Sequence, residues 1–395
     1  MIARPLYINT LRSMKNTHLI KVLSGVRRSG KSTILELFAQ SLRSDGVGSE
    51  QIQMINFEDL ANADLLDYTT LHDSVASALV AGKMNYIFLD EIQQVPHFER
   101  AVDSLFIKGN VDLYITGSNA FLLSGELATL LSGRYVTIPV LPLSFAEYWS
   151  SCQGGDKYST FQEYLERGGF PYATQINDDH TYKAYVDGIL TSVLIKDVLS
   201  RHTLANSTLL ERLARFLTDS SGSLVSIKKI ADTLTSMGEK TTSATVASYL
   251  TSLADAFLFY RCDRFDISGK RYLSTHAKYY PVDQALRRAL LGRKRPDYGH
   301  RLEGVVYIEL IRRGYEVYIG NIKNLEVNFI ARKDGVTEYY QIAQSVAQQE
   351  VYEQEIASFL LIRDNYRKIL LTEDRGSYND RGLEQHNIVD WLLVR

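Results

Sequence analysis

The run GVRRSGKST, residues 25–33, constrains this chain more than any other stretch of similar length. It follows an apolar segment, HLIKVLS (18–24), and precedes ILELFAQSL, whose apolar residues recur at helical spacing. Gly25 to Ser32 therefore read G-x-x-x-x-G-K-S between a strand and a helix, the context in which this pattern wraps a phosphate chain. The two glycines let the backbone turn several N–H groups inward at a helix N-terminus. The expected ligand is ATP with Mg²⁺. It would be cradled by Gly25, Val26, Arg27, Arg28, Ser29, Gly30, Lys31, Ser32 and Thr33. Lys31 would reach the β- and γ-phosphates and Ser32 would ligate the metal. Arg27 and Arg28 either add neutralising charge or are solvated.

Further elements extend the site. NYIFLDEIQQV carries an apolar strand into Asp90-Glu91. A strand-terminal Asp serves the Mg²⁺ shell, and the Glu beside it can polarise the attacking water. A third strand, VDLYIT (111–116), ends in GSNA, which makes Ser118 or Asn119 the γ-phosphate sensor. Arg134 stands just before a fifth strand. It is expected either to stabilise transition-state charge, in its own subunit or in a neighbouring one of a homo-oligomer, or to be a surface or ion-paired arginine. Strands at about 19–24, 51–57, 85–90, 111–116 and 135–140 alternate with helical stretches. The fold class is α/β: an open, mainly parallel sheet that binds ligands at its strands' carboxyl ends.

At 395 residues the chain exceeds one ordinary core, so two or three domains are expected. A formal net charge of −2 gives no global basic field, so any DNA-binding surface must be local. Cys152 and Cys262 are far apart and lack metal or redox spacing, which suits a reducing cytosol. No stretch approaches the roughly 20 apolar residues of a membrane span, and MIARPLYINTLRSMKN lacks a signal peptide's apolar run. A cytoplasmic protein is expected.

The G-x-R-R-x-G-K-S form of the loop, LDEIQ, TGSNAFLLSGELATLLSGRY and LPLSFAEYW together resemble a large family of bacterial and archaeal AAA-type ATPases. Its members carry a C-terminal region of unknown function, which GGFPYA (168–173), KDVLSRH (196–202) and LEGVVYIELIRRGYEVY (302–318) resemble. The resemblance implies an AAA-type ATPase core, a winged-helix middle and a nuclease-like C-terminal fold. The expected segments are 1–144 for the ATPase domain and 145–204 for a helical lid packed on it. A winged helix-turn-helix would fill 205–290 and a nuclease-like domain 291–395.

Residues from SLVSIKKIADTL to SGKRYLSTHAKYY read as helix, turn, helix and hairpin, the order of a winged helix. The second helix, about Ser243 to Ala254, would enter a major groove with Thr242, Thr245, Ser248 and Tyr249. The hairpin offers Arg261, Arg264, Lys270, Arg271 and Lys278 among Tyr272, Tyr279 and Tyr280, a mixture suited to nucleic acid. RRALLGRKR (287–295) is a second basic patch or a linker.

The C-terminal order resembles the PD-(D/E)xK nuclease fold. Asn328 stands where its metal-binding Asp is expected, and Gln341 and Ala343 where its Glu and Lys are. Neutral amides bind Mg²⁺ poorly, and Glu303 and Glu326 alone do not rebuild the site, so a degenerate, inactive domain is expected. The main expectation is an ATPase that binds or remodels DNA. The alternative is a nucleotide-gated protein-interaction switch.

Overall fold

The computed structural model describes residues 2–118, 131, 133–152, 155–199, 206–292, 298–380 and 382–394. They form two units: residues 1–141 with 255–257, and residues 142–254 with 258–395.

The first unit is built on five parallel strands: β1 (Ile20–Ser24), β2 (Ile52–Asn56), β3 (Asn85–Asp90), β4 (Val111–Gly117) and β5 (Tyr135–Pro139). Their order is β2-β3-β4-β1-β5. Every residue of β1 and β3 is buried, as parallel strands covered on both faces require. One face carries α1 (Pro5–Ser13) and α2 (Lys31–Ser44), whose Ile34, Leu35, Phe38 and Leu42 make an apolar stripe against Phe88 and Tyr114. The other carries α3 (Tyr68–Ser77) and α4 (Phe98–Phe106), which bury Leu71, Val75, Val102 and Leu105 over Val22 and Leu89. The expected parallel sheet is observed, and each strand lies within about two residues of its expected place. Because β4 lies between β1 and β3, their carboxyl ends flank it. At the amino ends of β1 and β4, Lys21 Nζ lies 2.5 Å from Asp112 Oδ1, and both side chains are buried.

In the second unit α5 (Phe145–Ser151), α6 (Lys157–Arg167) and α7 (Asp179–Ser192) run into a π-helical turn, Val193–Leu199. Then come α8 (Ser207–Asp219), α9 (Ile227–Ser236), α10 (Ser243–Asp255), β6 (Phe259–Asp266), β7 (Arg271–Pro281) and α11 (Gln284–Leu291). The chain closes with α12 (Tyr298–Arg312), β8 (Glu316–Ile322), β9 (Leu325–Lys333), β10 (Val336–Ile342), α13 (Gln349–Leu361), β11 (Arg367–Thr372), β12 (Tyr378–Asp380), β13 (Leu383–Asn387) and α14 (Ile388–Leu393). The helix-turn-helix-hairpin order expected between 205 and 290 is present. Its hairpin does not stand apart, however. β6 pairs in parallel with β8, Arg264 opposite Ile319, so β6 and β7 continue a single sheet ordered β12-β13-β11-β10-β9-β8-β6-β7. The boundary expected near residue 290 thus runs through one sheet.

Within the second unit, the segment expected as a lid makes several polar contacts. Arg301 and Arg312 donate to the carbonyls of Leu165 and Pro142, and Tyr298 binds Gln162. The turn in RGGFP explains its glycines. Gly168 has φ +70, and a Cβ there would sit 1.8 Å from Asp283 Oδ1. Asp283 accepts from the amides of Gly169 and Ala285 at 2.7 and 2.8 Å, and burial pushes its carboxyl up to about 7. No described helix is long and apolar enough to cross a membrane.

Candidate functional site

The phosphate loop leaves the carboxyl end of β1 and enters α2 at Lys31. Gly25, at φ +152, lies so close to β5's exit that a Cβ would meet the Val140 carbonyl oxygen at 2.2 Å. No other residue fits there. Gly30 caps α2 in the left-handed region at φ +100, leaving the first amides of a 14-residue helix without intrahelical partners. Lys31 is buried. Its ammonium donates to the carbonyls of Gly25 at 2.9 Å and Val26 at 3.3 Å, and lies 3.7 Å from Glu91 Oε1. Arg27 pairs with Glu58 at 2.9 Å, whereas Arg28, at φ +65, is exposed. Val26 is buried, and Ser32 and Thr33 are half-buried in the first turn of α2.

Asp90 ends β3 across from this loop. Its Oδ1 accepts from Thr116 Oγ1 at 2.6 Å, and the Ser32 hydroxyl bonds the same carboxylate. Burial raises the Asp90 carboxyl above the usual carboxylate range, and those two hydrogen bonds oppose the rise. Glu91 adopts left-handed backbone angles, φ 56 and ψ 43, a strained conformation for a non-glycine residue. Its amide donates to Thr116 Oγ1 at 2.9 Å, and its carboxylate accepts from Gln93. One buried hydroxyl on β4 therefore holds both the Asp90 carboxylate and the backbone of Glu91. Sequence reading missed Thr116, because a threonine inside an apolar strand is ordinary.

Thr116→Val keeps the shape and removes both hydrogen bonds. Turnover is expected to fall on the order of tenfold at little cost in nucleotide affinity, while Thr116→Ser stays near wild type. Steady-state kinetics with nucleotide titration checks this. Equal losses in both variants would mean that the methyl packing matters rather than the hydroxyl.

These residues fit a nucleotide and its metal. The Ser29 hydroxyl is buried in the loop with no hydrogen-bond partner among the described residues. A Mg²⁺ ion uses only one or two protein carboxylates beside phosphate and water oxygens. Asp90 and Ser32 suffice for that, and no group of three or more His, Cys, Asp or Glu converges among the described residues.

Other expected site residues fare differently. Ser118, next after β4, is buried, and Asn119 lies outside the described residues. Arg134 precedes β5, where its carbonyl accepts from Ile20 at the amino end of β1. The phosphate loop follows that strand's other end, about 15 Å away for five residues. Arg134 pairs with Asp103 and lies over the Phe106 ring, so the chain's own nucleotide is beyond its reach.

In the second unit Thr245, Ser248 and Thr251 share the exposed face of α10. Thr245 also closes the helix's first turn, its amide donating to Thr242 Oγ1 at 3.1 Å. Lys270 and Arg271 are exposed where the hairpin turns. Tyr249 and Lys278 are corrections, because both are buried. Tyr249 packs inward and its hydroxyl accepts from the Asn206 amide at 3.2 Å. Lys278 points into a charged cluster, 2.9 Å from Glu303 Oε1 and 2.5 Å from Glu326 Oε1. Asn328 Nδ2 donates to Glu303 at 3.2 Å, its Oδ1 accepts from the Ile342 amide at 2.9 Å, and Gln341 accepts from the Asn328 amide at 3.2 Å. In RRALLGRKR, residues 293–295 lie outside the described residues.

Residues 17–149 match the family described as an AAA domain, and residues 158–297 match a domain of unknown function. An uncharacterised protein of Haemophilus influenzae is 40% identical, over 100% of this chain and 99% of its own length. Another, from Methanocaldococcus jannaschii, is 30% identical over 94% of this chain and 85% of its own. Among solved structures, a Walker-type ATPase of Pyrococcus abyssi aligns with 14% identity and a TM-score of 0.48, over 73% of this chain and 96% of that one.

Proposed function

We propose that this chain, which belongs to the family of these relatives and carries an AAA domain over residues 17–149, is a Mg²⁺-dependent ATP hydrolase that couples its nucleotide cycle to DNA. The observation that carries the hydrolase reading is the Asp90-Glu91 pair, held by Thr116 and set against Lys31 at 3.7 Å. Asp90 and Ser32 would hold Mg²⁺, which when bound neutralises charge on the β- and γ-phosphate oxygens. Lys31 adds a positive charge beside the same oxygens. Glu91 orients the attacking water and takes its proton. The loop amides stabilise negative charge as it spreads over the γ-phosphoryl group.

The DNA reading rests on the order α9, α10, β6 and β7, which is that of a winged helix. The exposed face of α10 is hydroxyl-bearing and uncharged through Thr245, Ser248 and Thr251, so it meets a groove without acidic repulsion. Lys270 and Arg271 at the hairpin turn supply phosphate contacts. The nuclease-like part of the second unit is proposed to be inactive. The Lys278 ammonium already pairs with both Glu303 and Glu326, and the side-chain oxygens of Asn328 and Gln341 already accept from backbone amides.

Titration of a fluorescent duplex against wild type and Lys270→Ala/Arg271→Ala, at several salt concentrations, tests the DNA reading. The double variant is expected to bind more weakly whatever the sequence. The slope of log K against log salt should fall by about 0.9 per lost contact. Equal binding and slope would remove the hairpin from the interface. A wild type that shows no salt-dependent binding would favour the protein-interaction switch, which the net charge of −2 suits.

A further inference from the structure

We infer that Arg4 is a positioning residue of the nucleotide site: it fixes the peptide between Ser29 and Gly30 so that the Gly30 N–H faces the phosphates. The inference rests on the nucleotide reading above and adds to it a residue outside every motif.

Arg4 directly precedes Pro5, which begins α1 with its φ already suited to a helix. The Arg4 side chain runs inward and the residue is only 3% exposed. Nη1 donates to the Ser29 carbonyl at 2.9 Å, and Nη2 donates to the Leu141 carbonyl at 2.7 Å. The guanidinium carbon lies 4.7 Å from the centre of the Tyr7 ring, and the Tyr7 hydroxyl accepts from the Leu141 amide at 3.0 Å. One planar cation thus ties the start of α1 to the phosphate loop and to the chain just beyond β5. The fork of a guanidinium suits two carbonyls at once, which a lysine's point charge does not.

The consequence follows from the geometry of a trans peptide, in which C=O and N–H point in opposite directions. A Ser29 carbonyl held on Arg4 turns the Gly30 N–H away from Arg4. Gly30 is the N-cap of α2, where free amides bind anions. With φ +100 and no Cβ, Gly30 also offers little resistance to a flip of that peptide. A flipped peptide would aim a carbonyl oxygen at the phosphates in place of a donor. The Arg4 bond to the Ser29 carbonyl opposes that flip, and the bond to Leu141 anchors the guanidinium that makes it.

The test uses the full chain as wild type, Arg4→Met and Arg4→Lys. It compares binding of ATP, ADP and AMP by calorimetry, turnover, and melting temperature. Arg4→Met is expected to lose ATP affinity on the order of tenfold, as for a hydrogen bond to a charged group. The loss should shrink from ATP through ADP to AMP, and KM should change more than kcat. Arg4→Lys should fall between wild type and Arg4→Met. A merely structural role would weaken all three nucleotides equally in step with a lowered melting temperature, and that result would overturn the inference, as would unchanged binding. If Arg4→Met fails to fold, the graded loss in Arg4→Lys decides in the same way. A wild type that binds no ATP would overturn both the inference and the nucleotide reading, whereas normal ATP binding with an insensitive Arg4 overturns the inference alone.

Discussion

Exchanging Glu91 for Gln should reduce ATP turnover by at least about a hundredfold while ATP remains bound. Glutamine keeps the volume and the contact with Gln93 but cannot accept a proton from the attacking water. The strained backbone at residue 91 survives the change, because it is held by the amide's bond to Thr116 rather than by the carboxylate. The exchange also removes a negative charge 3.7 Å from Lys31, so ATP should bind at least as tightly as in wild type. Single-turnover hydrolysis beside equilibrium binding of ATP separates the two effects. Turnover within about threefold of wild type would mean that another group activates the water.

The largest stability effect is expected at the amino ends of the same sheet's strands. Lys21 and Asp112 are buried at 2.5 Å, and Asp112 also accepts from the Tyr114 hydroxyl at 2.8 Å and the Asn16 amide at 2.9 Å. Lys21→Met removes the cation and leaves a buried carboxylate uncompensated, which costs about 3–5 kcal/mol. Lys21→Met/Asp112→Asn should recover part of this, since the amide oxygen still accepts a hydrogen bond while the charge is gone. A chain of two units need not unfold in one step. The urea transition to follow is therefore the one that ATP shifts to higher denaturant. A change below about 1 kcal/mol would show that the pair contributes little beyond its packing.

Much of the first unit was legible because its chemistry sits at the ends of continuous apolar runs. HLIKVLS leads straight into the loop, and NYIFLD into Asp90-Glu91, so local pattern and function coincide. Residues that act across the sequence were not legible. Arg4 meets its partners 25 and 137 residues away, and nothing near it hints at either. Tyr249 was misread because an aromatic residue on the second helix suits phosphate or base edges in a groove. Its helical phase, shared with Val246 and Leu253 on the buried side of α10, points inward instead. Lys278 was misread for a similar reason. Its positive charge looked like part of a basic hairpin, but Glu303 and Glu326, which neutralise it, lie 25 and 48 residues further along. The pairing of β6 with β8 is equally non-local, and strand alternation in either segment carries no information about its partner.

The central claim is that ATP turnover in the first unit is coupled to DNA. It is tested most directly by steady-state ATP hydrolysis of the wild-type chain with duplex, single-stranded and branched DNA and without any, at two salt concentrations. The account predicts turnover that rises with at least one form of DNA and loses that stimulation at high salt, where phosphate contacts are screened. Turnover identical with every DNA and at both salt concentrations would contradict the coupling, leaving an ATPase whose second unit serves contacts between proteins.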